Sequence, residues 1–203
     1  MMDVLRLDPT AVPRMVDVLH ESFHDYPVMR FVLGPDAPEY DERLRTLIHF
    51  FVMARVFRDE TLLGVPDGEA LLGVALVSRP GGPRPPPEFH ELRAEVWAEL
   101  GSDAEARYGA FADACGPFQV DAPHLHLNMI GVRRATQGTG LGRDLLEAVH
   151  DLSAADPDSQ GVSLTTENPE NVALYRHFGY EIVGEATVAP ELTTWGFYRK
   201  DER

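Results

Sequence analysis

Apolar side chains at Val12, Met15, Val16, Leu19 and Phe23 recur at the spacing of one helical face, so residues 10–23 are predicted to form a helix. Before it, Met2 to Leu7 alternates apolar and polar, the pattern of a short strand. His24-Asp25-Tyr26-Pro27 ends the helix, because Pro27 disfavours helical backbone in the residue before it. A second helix is predicted from about Pro38 to Phe57, with Leu44, Leu47, Ile48, Phe51 and Val52 inward. Thr61 to Val65 and Ala70 to Ser78, around Pro66-Asp67-Gly68, read as strand, turn and strand. Leu71 to Val77 is apolar almost throughout, which suits a central strand. Arg79 to Pro87 is a proline- and glycine-rich loop. Beyond it, Glu88 to Leu100 and Asp103 to Cys115 read as two helices. Residues 80–123 are therefore expected to be a helical insertion within one domain spanning 1–203, too short to hold much core alone.

The second half alternates more strictly. From His124 to Val132, Leu125, Leu127 and Met129 are expected on one face of a strand, and His126, Asn128 and Ile130 on the other. The strand runs into Gln137-Gly138-Thr139-Gly140-Leu141-Gly142 and then a helix, with Leu141, Leu145, Val149 and Leu152 at helical spacing. Gln160 to Thr166 is the next strand. Asn168-Pro169 opens another helix, since Asn caps well and Pro is tolerated at the first helical position. Gly179 closes it, and Tyr180 to Val188 with Thr193 to Arg199 form a final antiparallel pair.

Composition narrows the function. The chain has 203 residues, 44% of them hydrophobic, and a net charge of −15 from 33 acidic and 18 basic side chains. That length suits one domain with a real core. The acidity argues against nucleic-acid partners and against anionic membrane surfaces, and favours cationic ligands. The single Cys115 excludes an intrachain disulfide and a cysteine zinc site, and no metal is expected. The N-terminus does not read as a signal peptide, and the longest apolar run, Leu47 to Phe57, is too short for a membrane span. A cytoplasmic protein, monomeric or homodimeric, is the expectation.

The glycine loop carries the strongest chemical signal. Successive glycines let backbone N–H groups turn toward one anion at the positive end of a helix, which suits a phosphate or pyrophosphate. The same glycines also serve a tight strand-to-helix turn with no ligand. A P-loop is excluded because Arg143-Asp144 follows Gly142 where Lys-Ser or Lys-Thr would stand. The Gly-x-Gly-x-Gly spacing is not that of a dinucleotide fold.

Gln137-x-x-Gly140-x-Gly142 after a strand ending in Val132 resembles the acetyl-CoA pyrophosphate motif of the GNAT superfamily of N-acyltransferases. Asn168 to Tyr175, followed by Gly179-Tyr180, resembles the same superfamily's closing motif. A narrower resemblance is to the puromycin N-acetyltransferase branch, carried by Leu164 to Tyr180, by Thr194-Trp195-Gly196-Phe197-Tyr198 and, faintly, by Phe23 to Pro27. Arg134 departs from a common proline, and Thr165 from a common Glu.

The resemblance implies an α/β (α+β) fold with a central mixed, mostly antiparallel sheet flanked by helices. It implies acetyl transfer from acetyl-CoA to a primary amine of a small molecule by direct attack in a ternary complex. Backbone groups of Ile130, Gly131 and Val132 would hold pantetheine and polarise the carbonyl. The loop Gln137, Gly138, Thr139, Gly140, Leu141, Gly142 and Arg143 would take the pyrophosphate. Asn168 and Asn171 sit where a side-chain amide reaches pantetheine, although capping explains Asn168 equally well. Tyr175 matches the general acid. His126, on the strand beside the thioester, is the expected base, with His124 and Glu167 as rivals. Asp25, Tyr26 and Glu167 are the expected substrate-site residues. A non-catalytic acyl-CoA sensor is the alternative, because fold does not fix function.

Overall fold

The computed structural model describes residues 3–34 and 36–202. In chain order the elements are β1 (Leu5–Arg6), α1 (Val12–Phe23), α2 (Pro27–Leu33), α3 (Tyr40–Val56), β2 (Thr61–Asp67), β3 (Ala70–Ser78), α4 (Pro87–Leu100) and α5 (Ser102–Cys115). Then follow β4 (Leu125–Val132), α6 (Leu141–Ala155), β5 (Gly161–Thr166), α7 (Glu170–His177), β6 (Glu181–Ala189) and β7 (Leu192–Lys200). Only Leu5–Arg6 of the first predicted strand is extended, and its Met2 end lies outside the described residues. Pro27 does force Tyr26 into extended backbone (ψ 133°), but it then starts α2, a helix that the sequence pattern did not reveal. Its apolar residues, Val28, Met29, Val32 and Leu33, are all buried.

The strands form one sheet in the order β1-β2-β3-β4-β5-β7-β6. Every pairing is antiparallel except β4 with β5. β3 is interior, as its apolar run requires. Two apolar clusters cover the two faces. One joins α1, α3 and α4 to Val74, Leu76 and Met129. The other joins α6 to Ala75, Val77, Leu125, Leu127 and Leu164. Phe89, Val96, Trp97 and Leu100 of α4 share the first cluster with α1 and α3, so the predicted insertion has no separate core.

One local irregularity decides the site. In the β3–β4 ladder Leu76 pairs with Met129 but Val77 pairs with Leu127, so Asn128 is an extra residue, a β-bulge. An inserted residue shifts every later side chain to the opposite face. Leu125 and Leu127 face α6, whereas Met129 joins the α1 and α3 cluster and Ile130 packs against the α6 cluster. Burial alternates through β4 as predicted, but the predicted common face of Leu125, Leu127 and Met129 does not exist. Among the described residues no helix is long and apolar enough to cross a membrane.

Candidate active site

β4 and β5 start side by side and then part. Their parallel pairing covers Leu125–Val162, His126–Ser163 and Leu127–Leu164, and stops there. The bulge at Asn128 is where β4 bends away. Beyond it β4 pairs only with β3, and Thr165–Thr166 pair only with β7. The opened wedge exposes backbone. The Arg133 N–H donates to the Leu72 carbonyl at 2.8 Å, toward β3. In an antiparallel pair successive residues alternate direction, so Gly131 also points to β3 while Ile130 and Val132 turn their N–H and C=O toward the wedge. Gly131 has a separate constraint, since a Cβ there would run into Ser22 and Leu19 of α1.

At the far end of β4 lies the glycine loop. Gly138 and Gly140 are left-handed (φ 77° and 95°), and α6 begins on Gly140 with no capping side chain. Cβ atoms built on Gly138, Gly140 or Gly142 meet nothing within 4 Å, so open space lies against this backbone. A helix start with free N–H groups and room for a ligand fits the pyrophosphate of acetyl-CoA. The side chains add little. Thr139 Oγ1 donates back to the Thr136 carbonyl, and Arg143 pairs with Glu147 at 2.8 Å.

A cavity of about 250 Å³ opens on the wedge. Its strand wall carries His126, Asn128, Ile130, Thr165 and Glu167, and α7 adds Asn171 and Tyr175. Its other walls come from α2, α3 and α5, with Tyr26 at the corner between α1 and α2. The cavity therefore gathers six of the expected site residues: Tyr26, His126, Ile130, Glu167, Asn171 and Tyr175.

Burial sets their chemistry. Glu167 is 5% exposed, and desolvation pushes its carboxyl up to about 7, against hydrogen bonds from Thr194 and Tyr26 that lower it. Thr194 Oγ1 donates to Glu167 Oε1 at 2.8 Å. The Glu167 N–H donates to the Tyr26 hydroxyl at 3.2 Å, and that hydroxyl is 2.8 Å from Thr166 Oγ1. Asn171 Nδ2 also donates to Thr166 Oγ1, which fixes the amide at the cavity wall. Tyr175 is pushed up to about 12 by desolvation and then by the Glu167 charge, so it keeps its proton. The same desolvation works against His126. Its imidazole is pushed down to about 4, with Nδ1 hydrogen-bonded to Ser163 Oγ at 2.8 Å. His126 is thus neutral at pH 7 and a weak base, contrary to expectation.

Asp25, Asn168 and His124 are not part of the cavity lining. Asp25 pairs with Arg30 and Arg134 at 2.7 Å and with His24 at 2.8 Å, and the hydrogen bonds from Arg30 and His24 hold its carboxyl down at about 2. It ties the end of α1 to the segment after β4. Asn168 is a cap, its Oδ1 accepting the Glu170 N–H at 3.1 Å. His124 contacts the Ala122 carbonyl and the Tyr198 ring, away from the cavity. Sequence reasoning missed Thr194 and Asn128. Thr194 is fully buried on β7, and only its place in the quoted closing segment singled it out. Nothing in the strand's alternation marked Asn128 as a bulge.

Residues 93–182 match the model of the acetyltransferase (GNAT) domain family. Among solved structures, the chain is similar over its full length to a histone acetyltransferase HPA2 and related acetyltransferase from Corynebacterium glutamicum. There the identity is 21% and the TM-score 0.72, with 98% of that chain covered. It is also similar to the C-terminal condensation domain of Ebony in complex with β-alanyl-dopamine (13% identity, TM-score 0.70), with 98% of this chain and 99% of that one covered. A third is the Drosophila melanogaster polyamine N-acetyltransferase that forms N-acetylagmatine (15% identity, TM-score 0.63), with 98% of each chain covered. The sheet with its parted β4 and β5 is the GNAT fold, and the GNAT acetyltransferase domain is matched on residues 93–182.

Proposed function

We propose that the protein is an N-acetyltransferase that moves an acetyl group from acetyl-CoA to the primary amine of a small molecule, with both bound at once. The observation that carries the reading is the pair Glu167 and Tyr175 on one cavity, at the mouth of the wedge between β4 and β5. Acetyl-CoA, when bound, supplies an activated thioester. The loop 137–143 holds its pyrophosphate through backbone N–H groups, and Ile130 and Val132 hold pantetheine and polarise the carbonyl. These donors cost no reorganisation, since the strand already fixes them. Supporting evidence also comes from two fold neighbours, one holding β-alanyl-dopamine and one forming N-acetylagmatine. The likeness of 164–180 to the puromycin N-acetyltransferase branch points the same way.

Glu167 takes the amine proton. An alkylammonium near ~10.4 is far from neutral at pH 7, a cost of about 4.6 kcal/mol in water. A carboxyl at about 7 in a desolvated wall lowers that cost, because burial penalises both ions of the pair and their neutralisation relieves both. His126, already neutral and weakly basic, shapes the wall. Tyr175 donates to the departing sulfur. With its phenol at about 12, transfer to an ordinary thiolate near ~8.5 is uphill by about 5 kcal/mol, so the proton moves as the C–S bond breaks rather than before. The balance closes from the ammonium: nitrogen bonds to the carbonyl carbon, the C–S bond breaks and the Tyr175 proton goes to sulfur, while nitrogen gives up two protons, the first to Glu167 and the second to the Tyr175 phenolate. Helices α4 and α5 belong to the same acetyltransferase domain, supported by the core that α4 shares with α1 and α3. The test is release of free CoA thiol from acetyl-CoA with a panel of amines. Binding of acetyl-CoA without turnover of any amine refutes catalysis and leaves the sensor.

A further inference from the structure

The cavity is unevenly built. Its strand side is polar, while its helix side is aromatic. Phe51 of α3 and Tyr108 of α5 have ring centroids 5.9 Å apart, and Tyr108 and Phe111 6.5 Å apart, so three rings form a continuous wall. Trp97 braces Tyr108 from behind at 5.2 Å. The charges along the lining are as uneven. Among the described lining residues Glu167 is the one carboxylate, and the one guanidinium is Arg55 on α3. Arg55 stands 2.7 Å from Glu60, yet its desolvation lowers its pKa and its charge acts on both His126 and Tyr108. The chain's −15 charge is therefore not concentrated in the cavity. On the polar side, Asn128 Oδ1 is buried without a hydrogen-bond partner. A buried acceptor left unpaired costs on the order of 1–3 kcal/mol, which a ligand N–H relieves.

We propose that the acceptor is a monoamine carrying an aromatic ring, its nitrogen between Glu167 and Asn128 Oδ1 and its ring against Phe51, Tyr108 and Phe111. This rests on the transferase reading above. The amine end meets one carboxylate and one orphan acceptor, two acceptors for the N–H groups of a single nitrogen. The rest of the molecule meets rings, which favour an aromatic partner in stacked or edge contact. A diamine or polyamine fits poorly, since its second ammonium meets the like charge of Arg55 and no second carboxylate among the described lining residues.

The test compares phenethylamine and tryptamine with hexylamine, putrescine and a lysine-rich peptide, in steady-state turnover with acetyl-CoA. The expected result is a specificity constant for the aromatic amines at least about 10-fold above hexylamine and putrescine. In Phe111→Ala, KM rises more for phenethylamine and tryptamine than for hexylamine, so the aromatic advantage shrinks; an equal rise for all three overturns the ring contact. Asn128→Ala raises KM for all the monoamines. Putrescine or the peptide equalling the aromatic amines overturns the proposal and leaves the transferase reading standing. If no amine is turned over, the transferase reading fails, and calorimetric titration of phenethylamine against putrescine decides the ring preference. Equal or weaker binding of phenethylamine then overturns it.

Discussion

Replacing Glu167 by Gln separates the base assignment from mere packing, because the same burial that tunes the carboxyl also taxes the fold. Gln keeps the size and can still accept from Thr194. What it removes is ionisation. Moving a carboxyl from 4.5 to about 7 corresponds to about 3 kcal/mol against its charged form. The sign follows from proton counting. Between pH 4.5 and 7 the folded protein keeps the Glu167 proton that the unfolded chain has lost, so wild-type stability falls as pH rises through this window. Below pH 4.5 both states are protonated and the penalty vanishes. The difference in stability between Glu167→Gln and wild type should therefore grow by about 3 kcal/mol from pH 4.5 to 8, in favour of the variant. Urea unfolding at several pH values measures it, and contributions from other groups cancel in the difference. Over the same range the variant should lose about 10²–10⁴ in kcat/KM, and the acid limb near pH 7 of the wild-type rate profile should disappear. A stability difference that stays constant with pH refutes the burial argument. A variant that keeps both the limb and its activity refutes the base.

The remaining predictions are narrower. Tyr175→Phe should lower turnover by about 10²–10⁴ while leaving acetyl-CoA affinity within about 2-fold, as read by calorimetry, because only the proton donor is removed. Gly140→Val should weaken acetyl-CoA binding and cost about 1–2 kcal/mol of stability, since it places a β-branched residue at φ 95° against the open face of the loop. Unchanged affinity in a folded Gly140→Val variant would remove the loop from the cofactor site. Asp25→Asn should leave acceptor KM unchanged, because the carboxylate is held by Arg30, Arg134 and His24 outside the cavity. A several-fold rise in that KM would restore Asp25 to the acceptor site.

Much of the architecture was legible because it rests on period. α1, α3, α6 and β2 to β7 follow apolar spacings that survive tertiary packing, and their observed ends differ little from the predicted ones. The failures share a cause. α2 is seven residues long, with too few turns for a helical period to stand out from a generally apolar segment. The bulge at Asn128 keeps the buried and half-buried alternation of β4 intact while exchanging its faces, so no pattern of hydrophobicity reports it. Yet the bulge parts β4 from β5, and it sets Asn128, whose buried amide oxygen is unpaired, in the cavity lining. Asp25 enters the expected acceptor site through the family resemblance alone. Successive residues at a helix exit point in different directions, and here Tyr26 faces the cavity and Asp25 a surface ion network.

The choice between His126 and Glu167 shows why site residues are harder to read than folds. By reference values an imidazole near ~6.5 is the natural base at pH 7 and a carboxyl near ~4.3 is not. That ordering assumes water. Desolvation opposes charge, and the charged form of His is protonated whereas that of Glu is deprotonated, so one burial moves the two groups in opposite directions. His126 falls to about 4 and Glu167 rises to about 7, an inversion of their order. The residue suited to accept a proton near neutrality is therefore the carboxyl, and the same wall that disables the histidine enables it. Sequence supplies the identities of both side chains. Their depth arises from α2, α3 and α5 closing over the parted strands, a property of the assembled fold that no local pattern encodes.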